Sequence, residues 1–384
     1  MRIKLSLLFI LYMAASAFGQ KMDTLQFYSK AFNSQRTIYV STPEFYAYQS
    51  EEVALPVIYL LDAQHEWFRN PVLQTIRYLQ YTHQIPQALV VSIPLQDRNK
   101  ECGIQSLEGS ELPLLSFITK EVDEQIRAYR PGNFKILIGH SFSASFSLYA
   151  YLKNPKYFSA VVANTPLDSF KQLIVAFESS GKAYKQNIYI ATGGRAMHED
   201  FYHRKAFDAL KEEFPTFFNS IHSFVAEHAN HSAVPILATP NLLTSMFKEF
   251  NARFSHIARV GNDYQLINIP KSVEDELSKI KEASKLDEAF YPPEIAEVNG
   301  LASRYWGSQL NDYAIAIYEM GVQYYPYYYD FQLQLYELLL PIAKDRAKAH
   351  LNRAEELLTT LETSLLERQN LLNEIRNEKL KNGW

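Results

Sequence analysis

Five consecutive residues, Gly139-His140-Ser141-Phe142-Ser143, restrict what this chain can fold into more than any other stretch. The apolar run Ile136 to Ile138 before them suits a buried strand, and the small and aliphatic residues after Ser141 suit a helix. A serine in a tight strand-to-helix turn is the signature of a nucleophile elbow. The turn lifts the hydroxyl clear of the sheet and aims backbone amides at the same place. Small residues in such a turn let its backbone approach its neighbours without a Cβ clash. Position 143 carries Ser where the usual pattern has Gly, so the elbow is expected to be intact but tighter.

The chain begins with a basic segment (Arg2, Lys4), an apolar centre from Leu7 to Met13 and small residues at Ala17 and Gly19. Residues 1–19 read as a secretory signal peptide, being too short for a membrane span and followed at once by Gln20 and Lys21. The mature protein is therefore expected to be exported, periplasmic or extracellular. No Cys follows the cleavage site, so no lipid anchor is expected there. A net charge of -4 carries no basic surplus and argues against a nucleic-acid partner. Cys102, the single cysteine, cannot form an intrachain disulfide and reads as a small packed residue rather than a reactive thiol.

Runs rich in β-branched and aromatic residues recur at Thr37 to Val40, Val57 to Leu61, Ala88 to Ile93, Ala160 to Ala163, Ile188 to Ala191 and Ile221 to Val225. Helical segments fall between them, at Gln74 to His83 and Leu115 to Tyr129. This alternation predicts an α/β fold with a mostly parallel central sheet flanked by helices on both faces. Catalytic groups in such a sheet lie beyond the carboxyl ends of its strands.

The motifs Pro56 to Asp62, Val90 to Pro94 with Asp97-Arg98, the elbow, Asn154-Pro155 and Phe158 to Ala160 follow one another in a recognisable order. Over roughly Leu25 to Phe250 the chain resembles the esterase D and enterochelin-esterase type of α/β-hydrolases. The resemblance implies an α/β-hydrolase domain, here bounded at 20–255, that hydrolyses carboxylic esters or thioesters with no cofactor. A serine hydroxyl needs a base, and the base a carboxylate that holds its tautomer. In this fold the chain order is Ser, acid, His. Ser141 is then the nucleophile. His231, in Glu227-His-Ala-Asn-His231-Ser232 ahead of an apolar helix, is the implied general base, with His228 its rival.

The acid is less readily assigned. Relatives place a carboxylate shortly after the strand corresponding to Ile188 to Ala191, where this chain has Thr192-Gly193-Gly194-Arg195. Glu199 is chosen over Asp200 because its longer side chain spans a displaced loop. Asp168 is a weaker third option. Acyl transfer also needs preorganised donors for the oxyanion. These are expected from the backbone of Phe142 and of Ala63 or Gln64. Trp67, Phe68, Tyr78 and Tyr81 are read as core rather than as an acyl pocket. His228 and His231 lack a third ligand at zinc-site spacing, so no metal is expected.

After Phe250 the character changes. Residues 256–291 read as a charged, helical connection, and Pro292-Pro293 introduces an all-helical domain at 292–384. Within it Leu301, Ala302, Tyr305, Ala314, Tyr318, Gly321 and Pro326 match one tetratricopeptide-like (TPR-like) repeat, and Leu335, Leu338, Ala349 and Leu357 a looser second. Ala354 to Lys381 reads as one amphipathic capping helix. The tyrosines from Tyr324 to Tyr329 suit the seal between two domains, or an interface with a protein partner or a second copy.

Two functions follow. The first is a secreted serine esterase acting on a small-molecule or glycan ester, such as an acylated sugar, a siderophore or a feruloyl ester. The second is a catalytically impaired hydrolase-fold protein that binds or scaffolds through its helices.

Overall fold

The computed structural model describes residues 21–167, 169–180, 187–194, 198–286, 289–360 and 365–384. The 1–19 leader, Asp168 and Arg195 lie outside them. The chain divides into two compact units, one of residues 21–43 and 54–252, the other of 44–53 and 253–384.

The first unit is built on eight strands: β1 (Met22–Ser29), β2 (Ser34–Ser41), β3 (Leu55–Leu60), β4 (Leu89–Ser92), β5 (Pro131–His140), β6 (Ala160–Asn164), β7 (Ile188–Gly193) and β8 (His222–Ala226). Their order across the sheet is β1-β2-β4-β3-β5-β6-β7-β8. The pairs β1·β2 and β2·β4 are antiparallel and all others parallel. Every residue of β3, β6 and β7 is buried, as expected of strands covered on both faces. β1 was not legible as a strand. It is an edge strand whose alternate residues are exposed, and it lacks the apolar run that marks the central strands.

Six helices of this unit matter for the site: α1 (Glu66–Tyr81), α2 (Arg98–Cys102), α3 (Phe142–Lys153), α4 (Phe170–Ser179), α5 (His198–Glu213) and α6 (Val234–Met246). The expected helix over Leu115 to Tyr129 is present, but its turns widen over Phe117–Val122. The sheet grows outward in both directions from β3, so its topological switch lies between β3 and β5, beside the elbow. Cys102 is buried and burial pushes its thiol well up, so it packs rather than reacts.

The second unit holds α7 (Val273–Ala283), α8 (Ile295–Gly307), α9 (Asn311–Tyr324), α10 (Tyr329–Leu339), α11 (Lys344–Thr360) and α12 (Leu365–Lys381). Leu301, Ala302, Tyr305, Ala314 and Tyr318 are all buried in its core. A Cβ on Gly321 would fall 2.8 Å from Val298 and 2.9 Å from Phe331, so glycine here admits close helix approach. Ala349 is exposed, and Ala347 takes its expected place in the core. The capping helix expected over Ala354 to Lys381 is two helices, α11 and α12. Tyr325 is buried, and Tyr324, Tyr328 and Tyr329 pack against the same core as Phe45 and Tyr48 from the 44–53 segment.

Candidate active site

Ser141 lies directly before α3 with φ 60° and ψ -118°, a positive-φ conformation that L residues rarely adopt. Surrounding structure must hold such strain in place, and strained backbone of this kind clusters at functional sites. Here the Ser141 N–H donates to Asn164 O at 2.8 Å and its carbonyl accepts from Ala144 at 3.0 Å. A Cβ on Gly139 would sit 2.3 Å from the carbonyl oxygen of Ser143, so only glycine fits that position. Ser141 is 5% exposed. Phe142 opens the helix, where the first amides have no intrahelical acceptor.

Ser143 fits without opening the turn, because its hydroxyl is part of what closes it. The Oγ accepts from His140 N at 2.8 Å and donates to Asp62 Oδ2 at 2.6 Å. Asp62, which is 1% exposed and has φ 59°, receives both arms of Arg98, at 2.7 and 2.9 Å. Arg98 also donates to His140 O at 2.7 Å. The Gln64 amide nitrogen donates to Asp62 Oδ1 at 3.0 Å, and its side-chain oxygen accepts from Leu95 N at 2.8 Å. Sequence reading quoted Asp62 and Arg98 as motif residues but gave them no role. Their pairing joins segments 36 positions apart, which no local pattern reveals.

The two residues expected to offer the second oxyanion donor differ in their backbone bonding. The Ala63 N–H donates to Ile93 O at 3.2 Å, which occupies it just beyond the ends of β3 and β4. The Gln64 N–H is next in the chain and makes no backbone bond among the described residues.

His231 lies in the loop between β8 and α6, where Asn230 caps the turn through Oδ1 to Ala233 N at 2.9 Å. Its carbonyl accepts a hydrogen bond from His140 Nε2 at 2.9 Å, and the two rings lie 4.6 Å apart. Because a carbonyl only accepts, Nε2 of His140 carries the proton. Burial, and secondarily the His231 ring, hold the His140 pKa down to about 4, so that ring is neutral. Phe68 stacks on its other side at 5.7 Å, and Trp67 meets it edge-on at 6.0 Å. Residue 231 is therefore fixed beside the residue that precedes Ser141. His228, in contrast, is exposed.

Gly193 and Gly194 explain how β7 comes close to this loop. A Cβ on Gly194 would fall 1.5 Å from Glu227 O, and one on Gly193 2.8 Å from Ala229 O. The Gly194 N–H donates to Ala229 O at 3.2 Å. Arg204 of α5 reaches both carboxylate oxygens of Glu227 at 3.3 Å, tying that helix to the same loop. The His203 ring sits 5.1 Å from that of His231. The backbone of Glu199 and Asp200 forms the first turn of α5, and their side chains lie outside the described residues.

A cleft of about 160 Å³ opens beyond β6 and β7, between α4 and α5, with Leu167, Phe170, Phe207, Leu210, Thr192 and His203 in its wall. Of the aromatics expected in the core, only Phe68 is buried. Trp67, Tyr78 and Tyr81 are 52%, 67% and 60% exposed, because they lie on the outward face of α1. Among the described residues no cluster of His, Cys, Asp and Glu could hold a metal ion, and no helix is long and apolar enough to cross a membrane.

A mostly parallel sheet with a strained serine directly after β5 defines an α/β-hydrolase. Residues 29–206 match the family model described as "Putative esterase", a match that supports ester hydrolysis as the class of activity. It is 26% identical over 174 residues to the uncharacterized protein YjcH of Bacillus subtilis (strain 168), covering 44% of this chain and 70% of that protein. Among solved structures it resembles an IroE-like serine hydrolase from Shewanella oneidensis, with a TM-score of 0.59 and 20% identity over 78% of this chain and 98% of that one. It also resembles an uncharacterised protein from Capnocytophaga ochracea DSM 7271, with a TM-score of 0.56 and 16% identity over 93% of this chain and 100% of that one. At these identities the two structures speak for the fold, and the second extends over most of the helical unit.

Proposed function

We propose that the protein is an exported serine esterase in which Ser141 is the nucleophile, His231 the general base and Glu199 the acid that orients it. The observation that carries this reading is the strained φ of Ser141, at the end of the strand whose last residue holds His231 by its carbonyl. Ser141 Oγ attacks the ester carbonyl while His231 takes its proton. The tetrahedral oxyanion is held by the amides of Phe142 and Gln64, the latter in place of Ala63, whose amide is spent on Ile93. His231 then protonates the departing alcohol, leaving an acyl-enzyme that water hydrolyses by the reverse sequence.

The register of α5 supports Glu199 over Asp200. At about 100° per residue, the position of Glu199 lies about 30° from the centre of the face formed by His203, Ala206, Phe207 and Leu210, and that of Asp200 about 70°. That face carries the ring that meets His231 and the residues that line the cleft. The cleft volume suits an acyl or alcohol group of about benzene size, compatible with an acylated sugar, a feruloyl ester or a siderophore ester. Export rests on the 1–19 leader. The helices of 292–384 form TPR-like pairs suited to a protein partner or a second copy, resting on the buried repeat positions of α8 and α9.

The purified mature protein is expected to hydrolyse p-nitrophenyl acetate and to be labelled by a fluorophosphonate, both abolished by Ser141→Ala. Glu199→Gln should lower kcat by about 10²-fold or more, with Asp200→Asn near wild type. A wild type that is neither active nor labelled would replace this reading with the binding or scaffolding one.

A further inference from the structure

The elbow is attached to the rest of the site by a buried carboxylate, and one attachment exists only because residue 143 is serine. Ser143 is 0% exposed, and Asp62 receives its hydroxyl, both arms of Arg98 and the Gln64 side chain. Asp62 is also the first residue of the segment that carries the Gln64 amide. One carboxylate thus meets the helix that begins at the nucleophile and the segment that offers the second oxyanion donor. His140, directly before Ser141, has its N–H bound by Ser143 Oγ and its carbonyl by Arg98. Glycine at 143 would leave the His140 N–H without this acceptor and the elbow tied to Asp62 through Arg98 alone. Hydrogen bonds to charged groups in a dry interior are strong, and a misplacement of about 1 Å at a reacting centre can cost about 10²-fold in rate.

We propose that Ser143 is a positioning residue, whose hydroxyl couples the nucleophile elbow to the Asp62 segment and so fixes the distance between Ser141 and the Gln64 amide. This rests on Ser141 being the nucleophile. The hydroxyl touches no reacting atom. Its effect is felt where the oxyanion develops, in kcat rather than in ground-state binding.

The test compares Ser143→Ala and Ser143→Gly with Ser147→Ala, which removes another buried hydroxyl of the same helix, one that donates to the Ser143 carbonyl. Both position-143 variants are expected to lower kcat on p-nitrophenyl acetate by about 10- to 100-fold with KM within about twofold, and to slow fluorophosphonate labelling in parallel. Ser147→Ala should keep kcat within about twofold. Asp62→Asn should lower kcat as well, and Ser143→Ala should cost little further in that background, because the two changes break one link. If Asp62→Asn fails to fold, the two position-143 variants decide alone. A labelled wild type whose position-143 variants keep kcat, whatever their melting temperature, overturns the proposal. A wild type not labelled at Ser141 removes the nucleophile assignment itself, and this coupling with it.

Discussion

At the scale of single residues, the two candidate histidines sit in different surroundings. His228 and His231 are three apart in one loop, yet His228 faces water while His231 packs its ring on His140 and His203. His231→Gln is expected to lower kcat by about 10³-fold or more and His228→Gln to leave it near wild type, measured on the same ester. Equal effects would contradict the assignment. His140 makes a separate contribution, to stability. Its folded pKa of about 4 lies below the ordinary histidine value of 6.5, so between those values the unfolded chain binds the extra proton. Stability from this group is complete above about pH 6.5, falls as the pH drops toward 4, and totals on the order of 3 kcal/mol. Urea unfolding at pH 7 and pH 4.5 should show this loss, and His140→Gln should reduce it.

At the scale of elements, the site depends on how closely β7 passes beneath the loop after β8. Gly193 and Gly194 permit that approach, and a methyl at 194 would overlap the Glu227 carbonyl at 1.5 Å. Gly194→Ala should therefore displace the His231 loop. Expected are a loss of about 1–3 kcal/mol in denaturant unfolding and a fall in kcat, whereas Gly300→Ala, in open space, should cost neither. The Thr-Gly-Gly signal was visible in the sequence as a strand end. Its purpose was not, because the clashing atom lies more than thirty residues away in the chain.

For the whole molecule, the boundary between units is not a single cut. The 44–53 segment leaves the sheet between β2 and β3 and joins the helical unit, where Phe45 and Tyr48 pack against its core and Ser50 N donates to Tyr324 O at 2.8 Å. A chain ending at residue 252 would leave those aromatics without their partners. It should associate in size-exclusion chromatography with light scattering, and replacing 44–53 with a short Gly-Ser loop should restore a monomer. A monomer without that replacement would show the segment to be harmless when unpaired. Sequence reading placed the helical domain from Pro292 onward, because punctuation by proline is local, whereas membership of a remote core is not.

The sequence by itself determined the α/β alternation, the elbow and the helical character of the C-terminal part, since each is written in local periodicity and turn chemistry. It also offered two histidines as candidate bases and a few carboxylates as candidate acids. Only the tertiary structure decided which histidine turns inward, that Ala63 spends its amide on Ile93, and that Asp62, Arg98 and Ser143 form one buried network. Those are contacts between segments distant in the chain. Their geometry depends on how strands are ordered across the sheet, which side-chain periodicity does not encode. The Ser143 that departs from the usual elbow motif is, in the folded protein, hydrogen-bonded to both His140 and Asp62.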